Sequence, residues 1–95
     1  MKHYSLRIPP DIQSYIRNLH PQIKSKIRRA LEEISINPEM GKLLGDRLVG
    51  FYSYRVDQYR IVYSIHHEKI EIEVVEIDKR SVIYSKLEKF ILGSK

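Results

Sequence analysis

The chain has no cysteine. That absence excludes a disulfide framework, a thiolate zinc site and a cysteine nucleophile, and it fits a reducing compartment. Long apolar runs are missing too, since none approaches the roughly 18 residues that a membrane-spanning helix requires. The opening Met1-Lys2-His3-Tyr4-Ser5 holds no apolar stretch of the kind that begins a secretory signal. An intact, soluble, cytoplasmic protein without a membrane partner is the expectation. Internal repeats, low-complexity tracts and linkers are absent, and 95 residues give one domain, taken as 1–95, rather than two. Acidic residues are in deficit, with 12 Asp and Glu against 17 Lys and Arg, and the resulting charge of +5 favours an anionic partner. A hydrophobic content of 42% is enough for a modest core and far from the composition of disordered chains.

Proline and glycine are sparse and fall between patterned segments. Tyr4, Leu6 and Ile8 alternate with polar residues, the period-two mark of a strand, until Pro9-Pro10 stops it. Asp11 is placed to cap a helix carrying Ile12, Tyr15, Ile16 and Leu19, which His20-Pro21 ends. A second amphipathic helix follows with Ile23, Ile27, Ala30, Leu31 and Ile34 on one face and Lys24, Lys26, Arg28 and Arg29 elsewhere, up to Asn37-Pro38. Residues 39–50 read as a loop without regular structure. Phe51 to Val56, Tyr59 to Ile65 and Lys69 to Ile77 are rich in aromatic and β-branched residues and read as a three-strand antiparallel meander. Ser81 then caps a last helix with Ile83, Leu87, Phe90 and Ile91 at helical spacing, ended by Gly93. The expected fold is α+β: a four-stranded antiparallel sheet with an N-terminal helix hairpin on one face and a short C-terminal helix, in the order β-α-α-β-β-β-α.

Turn arithmetic sharpens the meander. A two-residue turn at Asp57-Gln58 sets Val56 against Tyr59, Tyr54 against Ile61 and Tyr52 against Tyr63, all on one face, which is the core. The same register sets Arg55 opposite Arg60 on the other face, with Ser53 opposite Val62. A turn at His67-Glu68 sets Ile70, Ile72 and Val74 against Ile65, Tyr63 and Ile61, again on the core face. Val74-Val75 breaks the alternation, so a bulge or a twist is expected there, and the facing of residues 75–80 stays open. Two guanidinium groups directly opposite each other repel, at a cost of a few tenths to roughly 1 kcal/mol. An anion must relieve them: either a carboxylate, with Glu73 diagonal to Arg60, or a phosphate held by paired arginine forks. The direction of the last strand carries Lys79 and Arg80 toward the same end. His66-His67 point apart in extended chain and lack chelate spacing, so no metal is implied.

Tyr54 to Tyr63, followed by Asp78-Lys79-Arg80 ahead of Val82-Ile83-Tyr84, resembles the RelE/ParE superfamily of toxins from type II toxin-antitoxin pairs, and the resemblance covers nearly the whole chain. It implies a cognate antitoxin. The superfamily contains ribosome-dependent mRNA endonucleases of the RelE type and ParE-type inhibitors of DNA gyrase. The RelE-like residue set falls here on Arg55, Arg60, Arg80 and Tyr84, which favours the nuclease branch. That branch cuts by attack of the mRNA's own 2′-OH on the adjacent phosphate, without metal or other cofactor. Arg60, Arg80 and Tyr84 are then the implied catalytic residues, and Arg55, Lys79, Lys42 and Arg47 the RNA-binding ones. Two departures stand out: Ser53 and Tyr54 occupy positions where other versions carry lysines, and no histidine or glutamate is placed as a base. A gyrase inhibitor and an inactive toxin-fold binding module are the competing expectations.

Overall fold

The structure is a computed structural model that describes residues 3–45 and 48–93. Strand β1 (Ser5–Arg7) leads into helix α1 (Pro10–Arg17) and helix α2 (Pro21–Ile36). A short 3-10 turn, Pro38–Met40, precedes β2 (Lys42–Leu43). The meander is β3 (Phe51–Val56), β4 (Tyr59–His66) and β5 (Glu71–Lys79), and α3 (Arg80–Gly93) closes the chain.

Both early helices begin on proline at the first helical position, where the missing N–H costs nothing and φ is already set. Asp11 consequently sits in the first turn of α1 instead of capping it, because Pro9 takes the cap position. His20 caps α2, its ring Nδ1 accepting the Gln22 amide at 3.2 Å. α3 begins at Arg80, so Ser81 lies within the helix and not at its cap.

The sheet is five-stranded and mixed, in the order β1-β5-β4-β3-β2. The expected four-stranded antiparallel sheet is corrected in two places. β1 runs parallel to β5, with Leu6 against Ile72, and β2 adds a short edge strand with Lys42 against Ser53. Alternation in Tyr4–Ile8 marks a strand but carries no direction relative to a distant partner. β2 is too short to show a period at all.

The β3–β4 register is the one that a two-residue turn dictates, from Val56 against Tyr59 to Tyr52 against Tyr63. Asp57 takes φ 53°, a left-handed conformation that Asp tolerates in such turns. The β4–β5 register differs from the expected one by two residues. The connection is a 3-10 turn, His67–Lys69, followed by Ile70 at φ 51°, so Ile65 meets Ile72 and Tyr63 meets Val74. An even shift keeps every side chain on its face. A bulge then falls at Val75, between the pairs Tyr63–Val74 and Val62–Glu76, and returns Ile77 to the core opposite Ile61.

The main core lies between the helix hairpin and one sheet face: Ile12, Ile16, Ile27, Leu31 and Ile34 pack on Ile61, Tyr63, Ile72, Val74 and Ile77. Tyr52, Tyr54 and Tyr59 pack against this cluster as well, and Tyr52 stacks on Tyr63 at 5.6 Å between centroids. A smaller cluster covers the opposite face, where Ile83 and Leu87 of α3 bury Val62, flanked by Leu44, Leu48, Phe51 and Val75. The side chains of Phe90 and Ile91 lie outside the described residues. Among the described residues, no helix is long and apolar enough to cross a membrane.

Candidate nucleic-acid interface

Strand pairing sorts the basic residues before any side chain is considered. Arg55 pairs with Arg60, and Arg60 with Asp78 on its other side; one row along, Lys42 pairs with Ser53 and Ser53 with Val62. Cross-strand partners share a face, so Lys42, Arg55 and Arg60 stand on the face that α3 occupies. That face is not open throughout, because α3 covers Val62 and leaves the basic end beyond it uncovered.

The end of β5 is tied to the Asp57-Gln58 turn. The Arg80 amide donates to the Gln58 carbonyl at 2.8 Å. Beside this contact lies a groove of about 470 Å³ lined by Arg55, Asp57, Gln58, Lys79, Arg80 and Ser81. Arg55 is exposed, its Nε donating to the Asp57 carbonyl at 3.1 Å, while Lys79 and Arg80 are also exposed. Tyr84 does not line the groove. It is exposed on α3 one helical turn beyond Arg80, on the same side of the helix. Lys42 is exposed on β2, and Arg47 lies outside the described residues.

Arg60 is the least solvated of these cations. Its NH1 donates to the buried Ser53 hydroxyl at 3.3 Å, and its Nε is buried with no hydrogen-bond partner. A buried guanidinium nitrogen left in this state is costly, and an anionic oxygen is its natural complement.

The carboxylate expected in this role, Glu73, is engaged elsewhere. The register corrects the expected position of Glu73, which stands opposite Ser64 and 3.3 Å from His66 Nε2, away from Arg60. Glu71 lies 3.8 Å from Arg7, and the position diagonal to Arg60 falls to Glu76, whose carboxylate accepts the Ile77 amide at 3.2 Å. Asp57 holds Lys26 at 2.8 Å. Asp78 pairs with Lys86, not with Lys79 or Arg80 as an ion-pair partner, and it accepts the Tyr15 hydroxyl at 3.1 Å and the Lys79 amide at 2.7 Å. Burial pushes the Asp78 carboxyl up, but the hydrogen bonds from Lys86, the Lys79 amide and Tyr15 outweigh it and hold the group below its ordinary value. The hydrogen bond to Asp78 raises Lys86 against the effect of burial. Among the described residues, then, Arg55, Arg60, Lys79 and Arg80 have no carboxylate within ion-pair distance.

The Asp78, Lys86 and Tyr15 cluster was not legible in the sequence, since nothing in the pattern of α3 states which sheet face it covers. Ser53 was nearer to hand: its register position beside Arg60 marks it as a neighbour. His66 and His67 diverge, His67 lying 2.9 Å from the Tyr4 hydroxyl.

Comparison with known proteins places the chain. Residues 10–84 match the family described as the ParE toxin of type II toxin-antitoxin system, parDE. The RelBE2 toxin-antitoxin complex of Mycobacterium tuberculosis contains a chain similar in structure, with a TM-score of 0.74 and 26% identity, covering 85% of this chain and 95% of that one. The isolated Escherichia coli RelE toxin gives a TM-score of 0.68 and 28% identity over 93% of this chain and 98% of its own. The YoeB–YefM complex of Staphylococcus aureus, at 22% identity and a TM-score of 0.64 over 81% and 97%, shares the fold. No curated protein matches by sequence. With a family match over most of its length and the fold of the RelE toxins, the chain belongs to the RelE/ParE superfamily, the toxin components of type II toxin-antitoxin systems.

Proposed function

We propose that this toxin is a ribosome-dependent mRNA endonuclease of the RelE type, acting in the cytoplasm and inhibiting translation. One observation carries this: Arg55, Arg60, Lys79 and Arg80 gather at one end of the sheet, and among the described residues none of the four is ion-paired with a carboxylate. Such a cluster suits a phosphodiester better than a carboxylate-bearing protein surface, because planar guanidinium forks match phosphate oxygens in pairs.

In the reaction, the 2′ oxygen of the mRNA bonds to the adjacent phosphorus and the bond to the 5′ oxygen breaks. The 2′ proton is lost and the leaving 5′ oxygen gains one, giving a cyclic phosphate and a 5′-OH. Negative charge builds on the phosphorane, and Arg60 and Arg80 stabilise it there. Arg55 and Lys79 position the backbone, with Lys42 and Arg47 as further RNA contacts. Tyr84 orients the 2′-OH or stacks on a base; a phenol with pKa near 10 is a poor base at neutral pH. The ribosome and the mRNA's own hydroxyl supply the remainder. A cognate antitoxin completes the system, in keeping with structural neighbours solved as toxin-antitoxin complexes.

The match to the ParE description favours a second reading, a non-enzymatic inhibitor of DNA gyrase. Purified toxin added to translating ribosomes separates the two. Cleavage of the mRNA, reduced on the order of a hundredfold in R60A and R80A, supports the nuclease. Intact mRNA with wild-type toxin, or equal cleavage by both variants, rejects it.

A further inference from the structure

Asp78 stands directly opposite Arg60 in the β4–β5 pairing. Side chains so placed have Cβ atoms roughly 5 Å apart on one face, close enough for a guanidinium–carboxylate pair. The pair is not made. One Asp78 oxygen accepts from Tyr15 and from the Lys79 amide, and the other is held by Lys86. Among the described residues, the Arg60 side chain meanwhile has a hydrogen bond to the neutral Ser53 hydroxyl and a buried Nε without a hydrogen-bond partner. The ammonium of Lys86 also lies 5.7 Å from the centre of the Tyr15 ring, so α1, β5 and α3 converge on the one carboxylate.

We propose that Lys86 and Tyr15 are positioning residues that hold the Asp78 carboxylate away from Arg60, leaving the guanidinium uncompensated for an RNA phosphate; this rests on the RNA-facing role of Arg60 proposed above. Without that hold, the nearest carboxylate in the sheet fills the site from within and competes with the phosphate. A purely structural role, in which Lys86 only pins α3 to the sheet, also predicts a loss when Lys86 is removed. The two part at Asp78: if the carboxylate is the competitor, its removal restores binding, whereas if it is only an anchor, its removal makes matters worse.

The test is binding of a fluorescein-labelled single-stranded RNA oligonucleotide to the full chain at low salt, followed by anisotropy, with folding checked by circular dichroism. K86M weakens binding by about tenfold, the worth of one charge-assisted contact. K86M/D78N regains the wild-type affinity, and D78N alone binds at least as tightly as wild type. K89M removes the same net charge from an exposed position on α3 and controls for long-range attraction. The proposal is overturned if K86M binds as wild type, if K86M/D78N stays as weak as K86M, or if K89M loses as much as K86M. R60A isolates the underlying premise: undiminished binding by R60A rejects the RNA-facing role itself, while loss in R60A with none in K86M rejects only the positioning. Where K86M fails to fold, Y15F loosens Asp78 without a change of charge and carries the same expectation, again reversed by D78N.

Discussion

Arg55 and Arg60 face each other across β3 and β4, and neither has a carboxylate partner among the described residues. The chain keeps a like-charge cross-strand pair that simple stability would remove. Replacing Arg55 by threonine is therefore expected to stabilise the fold by roughly 0.2–1 kcal/mol at low ionic strength. Urea denaturation in low and high salt checks this, the gain shrinking as salt screens the repulsion. The same substitution should lower the salt dependence of RNA binding by about one unit of slope.

Tyr63 ties the main core to the segment that leads into β2 and Lys42. Its hydroxyl donates to the Pro38 carbonyl at 2.7 Å and accepts the Gly41 amide at 3.1 Å. Burial, opposed by the Gly41 amide, pushes its pKa up to about 12, so the group remains a donor at neutral pH. Y63F leaves two backbone groups without a partner and should cost about 1–3 kcal/mol. Gly41→Ala should also destabilise, because a Cβ there would stand 2.5 Å from the Tyr63 hydroxyl oxygen and 3.1 Å from the Ser53 carbonyl. Thermal unfolding of both variants measures the effect.

The Asp78–Lys86 pair gives stability a defined pH window. Asp78 lies below its ordinary value in the folded chain, so its contribution is present above an unfolded pKa of about 3.9 and is lost as pH falls through the folded value. Lys86 lies above its ordinary value, so its contribution is present below an unfolded pKa of about 10.4 and is lost as pH rises through the folded value. Tyr15 adds to the alkaline loss, since burial and then the charge of Asp78 raise its pKa and ionisation breaks the hydrogen bond. The difference in unfolding free energy between wild type and D78N should be flat through neutral pH and shrink at both ends. Urea titrations across the pH range check it, and an undiminished difference in acid contradicts it.

The parts legible in the sequence were those controlled by local chemistry. A two-residue turn fixes the β3–β4 register, so the opposition of Arg55 and Arg60 could be read directly. The β4–β5 register could not, because the turn extends to a left-handed Ile70, a conformation that a β-branched residue rarely announces. Facing survived this shift because it was even, and the Val74-Val75 break did mark the bulge. What stayed hidden depends on distant pairing: the parallel direction of β1, the docking of α3 over Val62, and the engagement of Asp78 by Lys86 and Tyr15. Ile83 and Leu87 define an apolar helix face without saying which side of the sheet receives it.

Mapping new mRNA 5′ ends after a brief pulse of toxin expression tests the central claim most directly. The nuclease account predicts new 5′-hydroxyl ends inside translated regions within minutes, absent when translation is blocked and absent in R60A. Growth arrest with a DNA-damage response and an unchanged pattern of mRNA ends would contradict it.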